Sequence, residues 1–324
     1  MCISFRESAR CPIALAGTPA TASDRPRVYL PTMSSQSGAL IREDVTFPSH
    51  GERCAGWLWR GQSGTPGPTI VLGHGFSATK EARLDAYGDR FAEAGYSALA
   101  FDYRHFGASS GEPRELLDIG MQLEDWEAAI AYARSLPETD PDRIVLWGTS
   151  FAGGHVLAAA AGDRRVAAVI SQAPHVDGPA TMKAMRPWIA AGAVAIGWAD
   201  RIKARLGGAP IYVPRKGGDT REGLGRLYPP GHQQRPQVSA RVFSHIPRYS
   251  PGRRAADIAC PLLVQVTEHD AITPPGPALE AAANAPRGEA KSYPLSHFEI
   301  YLGAPFERAV ADQLEFLERA LSRG

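Results

Sequence analysis

The chain has 324 residues, 44% hydrophobic and 21% charged, which excludes wholesale disorder and allows a core that buries about three quarters of the unfolded chain's surface. Its 35 Lys+Arg against 34 Asp+Glu leave a formal charge of +1, so the whole chain has no basic field for nucleic acid. Four cysteines (Cys2, Cys11, Cys54, Cys260), none in a C-x-x-C pair, argue against a disulfide scaffold and a thiolate zinc site. The longest strongly apolar stretch, 189–198, is too short to span a bilayer. A cytoplasmic, enzyme-sized protein is expected.

Residues 1–40 are rich in Ser, Thr, Ala and Pro and lack helical or strand periodicity. They read as a disordered extension, with Met33 as a candidate internal start. Segments 45–47 and 54–59 alternate around Ser49-His50-Gly51-Glu52, the pattern of an antiparallel hairpin. The continuous apolar run 69–72 predicts a strand buried on both faces. A helix over 80–94 and a strand over 97–101 follow. Leu123, Trp126, Ile130 and Ala133 mark one stripe of a second helix. Strand 143–147, helix 151–161, strand 166–171, strands 261–266 and 290–293, and a closing helix carrying Val310, Leu314, Leu317 and Leu321 complete the alternation. Such alternation predicts an α/β fold: a mostly parallel sheet with helices on both faces. The rhythm breaks over about 85 residues, too long for a structureless loop in a compact domain. Segment 182–206 is helix-like and 207–236 is rich in Gly and Pro. The expected organisation is therefore a core of 41–174 and 260–324, with a cap inserted at 175–259.

The chemistry centres on Trp147-Gly148-Thr149-Ser150-Phe151-Ala152-Gly153-Gly154. A buried strand that runs into a small-flanked serine and then a helix is the context of a nucleophile elbow. Ala152 replaces the second glycine of the usual G-x-S-x-G. A serine hydroxyl is a weak nucleophile and needs a base oriented by an acid. Of nine histidines, His297 follows the last strand, and Asp270 follows the strand at 261–266. Glu268 is the reserve acid, while His74 reads as a loop brace and His155 as helix packing. The order Ser150, Asp270, His297 suits such a triad. Gly73-His74-Gly75-Phe76 ends a buried strand, so the Phe76 and Phe151 N–H groups would form an oxyanion hole.

These residues, with Phe101-Asp102-Tyr103-Arg104-His105-Phe106-Gly107-Ala108-Ser109-Ser110-Gly111, resemble the α/β-hydrolase superfamily. The likeness is greatest to its dienelactone-hydrolase-like and X-Pro-peptidase-like (S15) esterase branches. The resemblance implies an eight-stranded sheet, no cofactor and no metal, and makes Asp102, Arg104 and Gly107 buttresses of the site. It implies a serine hydrolase acting on a carboxylic ester, thioester or amide of small-molecule size. Rivals on the same fold are a thioester-dependent acyltransferase, a C–C bond hydrolase and a non-catalytic receptor. Oligomeric state is not readable. Residues 175–259 hold fourteen Lys+Arg against five acids, a net +9, leaving −8 on the remainder. A basic cap would either be solvated with its arginines paired to the acidic core across the seam, or steer an anionic substrate toward apolar walls supplied by Trp188, Ile189, Val194, Ile196 and Trp198.

Overall fold

A computed structural model describes residues 42–61, 65–214, 218–233, 235 and 237–322. The extension read over 1–40 lies outside the described residues. Strands β1 (Arg42–Ser49) and β2 (Glu52–Trp59) pair antiparallel. His50 and Gly51 both have positive φ at the turn, as a two-residue hairpin loop requires. Then come β3 (Gly67–Gly73), α1 (Leu84–Glu93), β4 (Ser97–Phe101), α2 (Ile119–Ser135), β5 (Thr139–Thr149), α3 (Phe151–Gly162) and β6 (Val166–Gln172).

Next lie α4 (Gly178–Ala184), α5 (Pro187–Arg205), β7 (Tyr212–Pro214), α6 (Gly218–Gly225) and β8 (Gln237–Ser239), then short 3₁₀ segments up to Asp257. The chain closes with β9 (Leu262–Thr267), α7 (Pro275–Asn284), β10 (Gly288–Tyr293) and α8 (Gly303–Leu321).

Eight strands form one sheet in the order β1-β2-β4-β3-β5-β6-β9-β10, and from β4 onward all neighbours run parallel. Alternation of side chains along each strand divides the core into two layers. Val71, Leu99, Leu146 and Val264 meet α2, α3 and α7 on one face. Ile70, Ala98, Trp147 and Leu263 meet α1 and α8 on the other. This is the α/β sandwich expected from the alternation, with every parallel strand pointing its carboxyl end to the same edge.

Three local differences have physical causes. The helix expected from residue 80 begins at Leu84, because Asp102 captures the Lys80 N–H at 2.7 Å and the Lys80 ammonium at 2.7 Å. The helix-like run 182–206 is two helices, since Pro187 cannot continue α4 and instead opens α5. Helix α7 was hidden by its start, Pro275-Gly276-Pro277, and by an Ala-rich body with little apolar periodicity.

The buried layer beneath α8 is not all apolar. The Gln313 amide donates to Gln172 Oε1 at 3.0 Å and Gln265 Oε1 at 2.6 Å, and its oxygen accepts the Trp147 indole N–H at 3.1 Å. Gln265 in turn donates to Tyr293 Oη at 2.7 Å and the Ala309 carbonyl at 2.8 Å. All three glutamines are fully buried, so each lost partner strands a polar group in a dry layer. Gln313→Ala should therefore lower unfolding stability by about 3 kcal/mol in a urea titration. A loss below about 1 kcal/mol would mean the stranded groups re-pair.

Candidate active site

Strand β5 ends at Thr149, and Ser150 adopts φ 55°, ψ −117° before α3 begins at Phe151. For a residue with a Cβ this is strained backbone, costing roughly 1–3 kcal/mol. It is held by Ser150 N–H on the Gln172 carbonyl at 2.9 Å and by His175 N–H on the Ser150 carbonyl at 2.8 Å. The turn also needs bare backbone beside it. A Cβ on Gly148 would lie 2.2 Å from the Ala152 carbonyl oxygen, and one on Gly75 would lie 2.9 Å from Ser150 Cβ. Ala152 sits in the buried first turn of α3, where nothing requires glycine. The departure from G-x-S-x-G is thus accommodated; the tight approach falls on Gly148.

Three strand ends bring the polar groups together. Ser150 follows β5, Asp270 follows β9 and His297 follows β10. His297 Nε2 lies 3.1 Å from Ser150 Oγ, and Nδ1 lies 2.6 Å from Asp270 Oδ2. A carboxylate can accept but not donate, so the imidazole proton sits on Nδ1 and Nε2 faces the hydroxyl as an acceptor. Oδ2 also accepts from Thr267 Oγ1 at 2.7 Å and Thr273 Oγ1 at 2.8 Å, while Oδ1 accepts the Ile272 and Thr273 N–H groups, each at 2.8 Å. Burial pushes the Asp270 carboxyl up, but the hydrogen bonds from His297, Thr273 and Thr267 outweigh it and hold the group at about 2. Glu268 and His269, in contrast, are exposed.

The other histidines are placed differently. His155 is buried between Tyr249 Oη at 2.6 Å and Gln122 Oε1 at 2.9 Å, and burial pushes it down to about 3, so it stays neutral. His74 is buried with Nδ1 3.0 Å from the Gly75 carbonyl, bracing the loop that carries Phe76. Behind that loop, Asp102 also accepts the Ala108 N–H at 3.0 Å. Gly107 has φ 51°, and a Cβ there would strike the Asp102 carboxylate at 2.1 Å. Arg104 binds Asp125 at 2.7 Å and Glu124 at 2.9 Å. Lys80, expected at the start of a helix, instead pairs with Asp102. Among the described residues, no group of three or more His, Cys, Asp or Glu is arranged to hold a metal ion.

Ser150 and His297 open into a cavity of about 370 Å³. Phe76, Ala82, Ile272, Phe298 and Tyr301 form one side. Met185, Ile189, Ala193 and Ile196 from the α4–α5 region, with Val213, Leu224, Val238 and Phe243, form the other. No Lys or Arg lines it among the described residues. Two of the five walls expected from the sequence are correct in position. Ile189 and Ile196, with Ala193 between them, share the inner face of α5. Trp188, Val194 and Trp198 do not line the cavity: Trp188 is 67% and Trp198 37% exposed, because helical spacing turns them to the opposite side.

The family model of serine aminopeptidase, S33, matches residues 64–215. The quorum-quenching protein AidA of Acinetobacter baumannii is 45% identical over 286 residues, covering 85% of this chain and 94% of that protein. The polyketide transferase ATR5 of Stachybotrys chlorohalonatus is 29% identical over 87% of this chain and 98% of its own length. Among solved structures, the α/β hydrolase GrgF from Penicillium sp. superposes with a TM-score of 0.76 at 27% identity, covering 87% of this chain and all of that one.

The site predicts an acid limb. A folded carboxyl at about 2, against about 3.9 when unfolded, stabilises the fold above roughly pH 4, and that stability is lost as pH falls toward 2. The gap in unfolding free energy between wild type and Asp270→Asn should narrow by about 2 kcal/mol over this window. A gap that is constant with pH would mean the carboxylate is not held this way.

Proposed function

The chain belongs to the α/β hydrolases, and from that premise we propose that it is a serine hydrolase cleaving carboxylic esters or thioesters with an apolar acyl group. One observation carries this reading: Ser150 Oγ, His297 and Asp270 form a continuous hydrogen-bonded chain whose hydroxyl end faces an apolar cavity.

In this mechanism Ser150 Oγ adds to the carbonyl carbon while His297 Nε2 takes its proton. Asp270 holds the productive tautomer and stabilises the imidazolium, and its low pKa keeps the proton on the ring. The carbonyl oxygen becomes negative and is received by the N–H groups of Phe76 and Phe151. Phe151 opens α3, where an N–H has no intrahelical partner and the helix dipole is positive. Collapse of the adduct expels the alcohol or thiol with the proton from His297. Water then repeats the sequence on the acyl-enzyme, with His297 as base, and returns Ser150.

Residues 175–259 act as a cap, supplying the cavity's outer wall. The described lining of that wall is apolar and suits the hydrocarbon part of an acyl group; the cap's basic residues would steer an anionic substrate from outside it. Identity of 45% to a quorum-quenching protein along most of its length favours a small signal molecule as the natural substrate. The likeness to the dienelactone-hydrolase-like and S15-like branches rests on the serine elbow, the Gly73–Phe76 loop, the acid and histidine positions and the segment that begins at Phe101. A second reading, acyl transfer, is favoured by the polyketide transferase relative. The acyl-enzyme is common to both, and they differ in whether water or another nucleophile resolves it.

A panel of esters, thioesters, lactones and amides, run with and without an added alcohol or amine acceptor, separates these readings. Ser150→Ala should lower turnover by about a million-fold with the fold intact, and a fluorophosphonate should label Ser150 alone. Asp270→Asn should cost about ten-thousand-fold in kcat and little in KM, whereas Glu268→Gln should be silent. Labelling of another serine would sink the assignment. Ile196→Trp should fill the cavity and shift preference to shorter acyl chains; an unchanged chain-length profile would move the acyl subsite away from α5.

A further inference from the structure

Helix α5 has two apolar faces, and the cavity accounts for one. The outer face carries Trp188, Ala191, Ala195, Trp198, Ile202 and Leu206, spaced so that at about 100° per residue all fall within roughly 100° of arc. Exposure is 55% for Ile202 and 83% for Leu206, beside the two exposed tryptophans. Soluble surfaces rarely gather apolar side chains of this size in one stripe unless something covers them. Cations flank it on both sides, Lys203 on one and Arg201 and Arg205 on the other. Arg186 lies 5.6 Å over the Trp188 ring, and Arg201 and Arg248 lie 5.6 and 5.7 Å from that of Trp198.

The charge pattern selects the occupant. The one acid of α5, Asp200, is buried and accepts from Ile211 N–H, Arg241 N–H and the Arg241 guanidinium, so the outer face presents no negative group. A second copy paired antiparallel on this face would bring Arg186 against Lys203 and Arg205 of its mate, cation against cation. A surface that is apolar inside and anionic at its rim matches instead. No described helix is long and apolar enough to cross a membrane. A helix with Trp and Leu on one face and Lys and Arg along its borders suits lying in the plane of a lipid interface, with the cations reaching phosphates.

We propose that the outer face of α5 docks the protein on an anionic lipid surface. The helix's other face walls the cavity, so docking would set the cavity beside a phase in which acyl chains dissolve. The inference is independent of the hydrolase reading, because it needs neither Ser150 nor turnover.

The test is sedimentation of the full-length protein with vesicles of phosphatidylcholine alone or mixed with phosphatidylglycerol. Binding to the anionic vesicles should be at least about tenfold tighter and should weaken with added salt. Brominated lipid should quench the exposed part of the tryptophan fluorescence. The double variant Ile202→Glu/Leu206→Glu should lose binding about tenfold or more while keeping the wild-type melting temperature. Lys203→Gln/Arg205→Gln should lose mainly the preference for anionic lipid. Equal affinity for both vesicle types, or undiminished binding by Ile202→Glu/Leu206→Glu, overturns the proposal. A wild-type dimer that this variant converts to monomer in light scattering also overturns it, in favour of a second copy.

Discussion

The turn at Ser150 is the constraint around which the described core is arranged. A left-handed φ on a residue with a Cβ is unfavourable by roughly 1–3 kcal/mol, and the conformation persists because neighbours over-determine it. Its amide is anchored to β6 through the Gln172 carbonyl, and its carbonyl receives the amide of His175, where the chain leaves β6. Both anchors need β5 and β6 to end in register, which their parallel pairing through Thr149 and Gln172 provides. Gln172 is held in turn by the buried glutamine network under α8. Polar groups on the far face of the sheet thus reach the strained turn through one side chain.

The same economy governs the acid. Asp270 lies in a buried place that would favour its neutral form, and a protonated carboxyl could no longer fix the imidazole. His297, two threonine hydroxyls and two backbone amides share the task of keeping it ionised. Thr273 contributes twice, through its amide and its hydroxyl, and the hydroxyl also lies 3.3 Å from His297 Nδ1. A short loop after β9 therefore suffices to build the acid's environment apart from His297, and residues as close as Glu268 and His269 remain at the surface without competing for the imidazole.

Much of this was legible in the chain because buried parallel strands and small-flanked turns leave local marks. The runs 69–72 and 97–101 could hardly be anything but buried strands, and a serine set between such a strand and an Ala-rich helix draws attention by its neighbours. The buried polar layer left no such mark. Gln172, Gln265 and Gln313 are far apart in sequence, and their meeting depends on strand order and the seating of α8. Lys80 follows a similar logic: its helical propensity is local, whereas the aspartate that overrides it arrives from the end of the next strand. Long-range pairing, rather than weak pattern, set the limit.

Helix α5 shows the limit in another form. Its tryptophans are its largest apolar side chains, and the sequence offers them as cavity walls together with Ile189, Val194 and Ile196. Position decides instead. Residues 189, 193 and 196 follow one helical line and 188, 195, 198 and 202 another, so a helix apolar on both lines must choose which to turn inward. The inner line holds the smaller side chains, which leaves the cavity its 370 Å³; two indoles there would have filled much of it. Larger side chains outward keep the cavity open and leave an exposed apolar stripe bordered by arginine and lysine. The spacing that opens the cavity is the same spacing that leaves the outer face of α5 apolar and exposed.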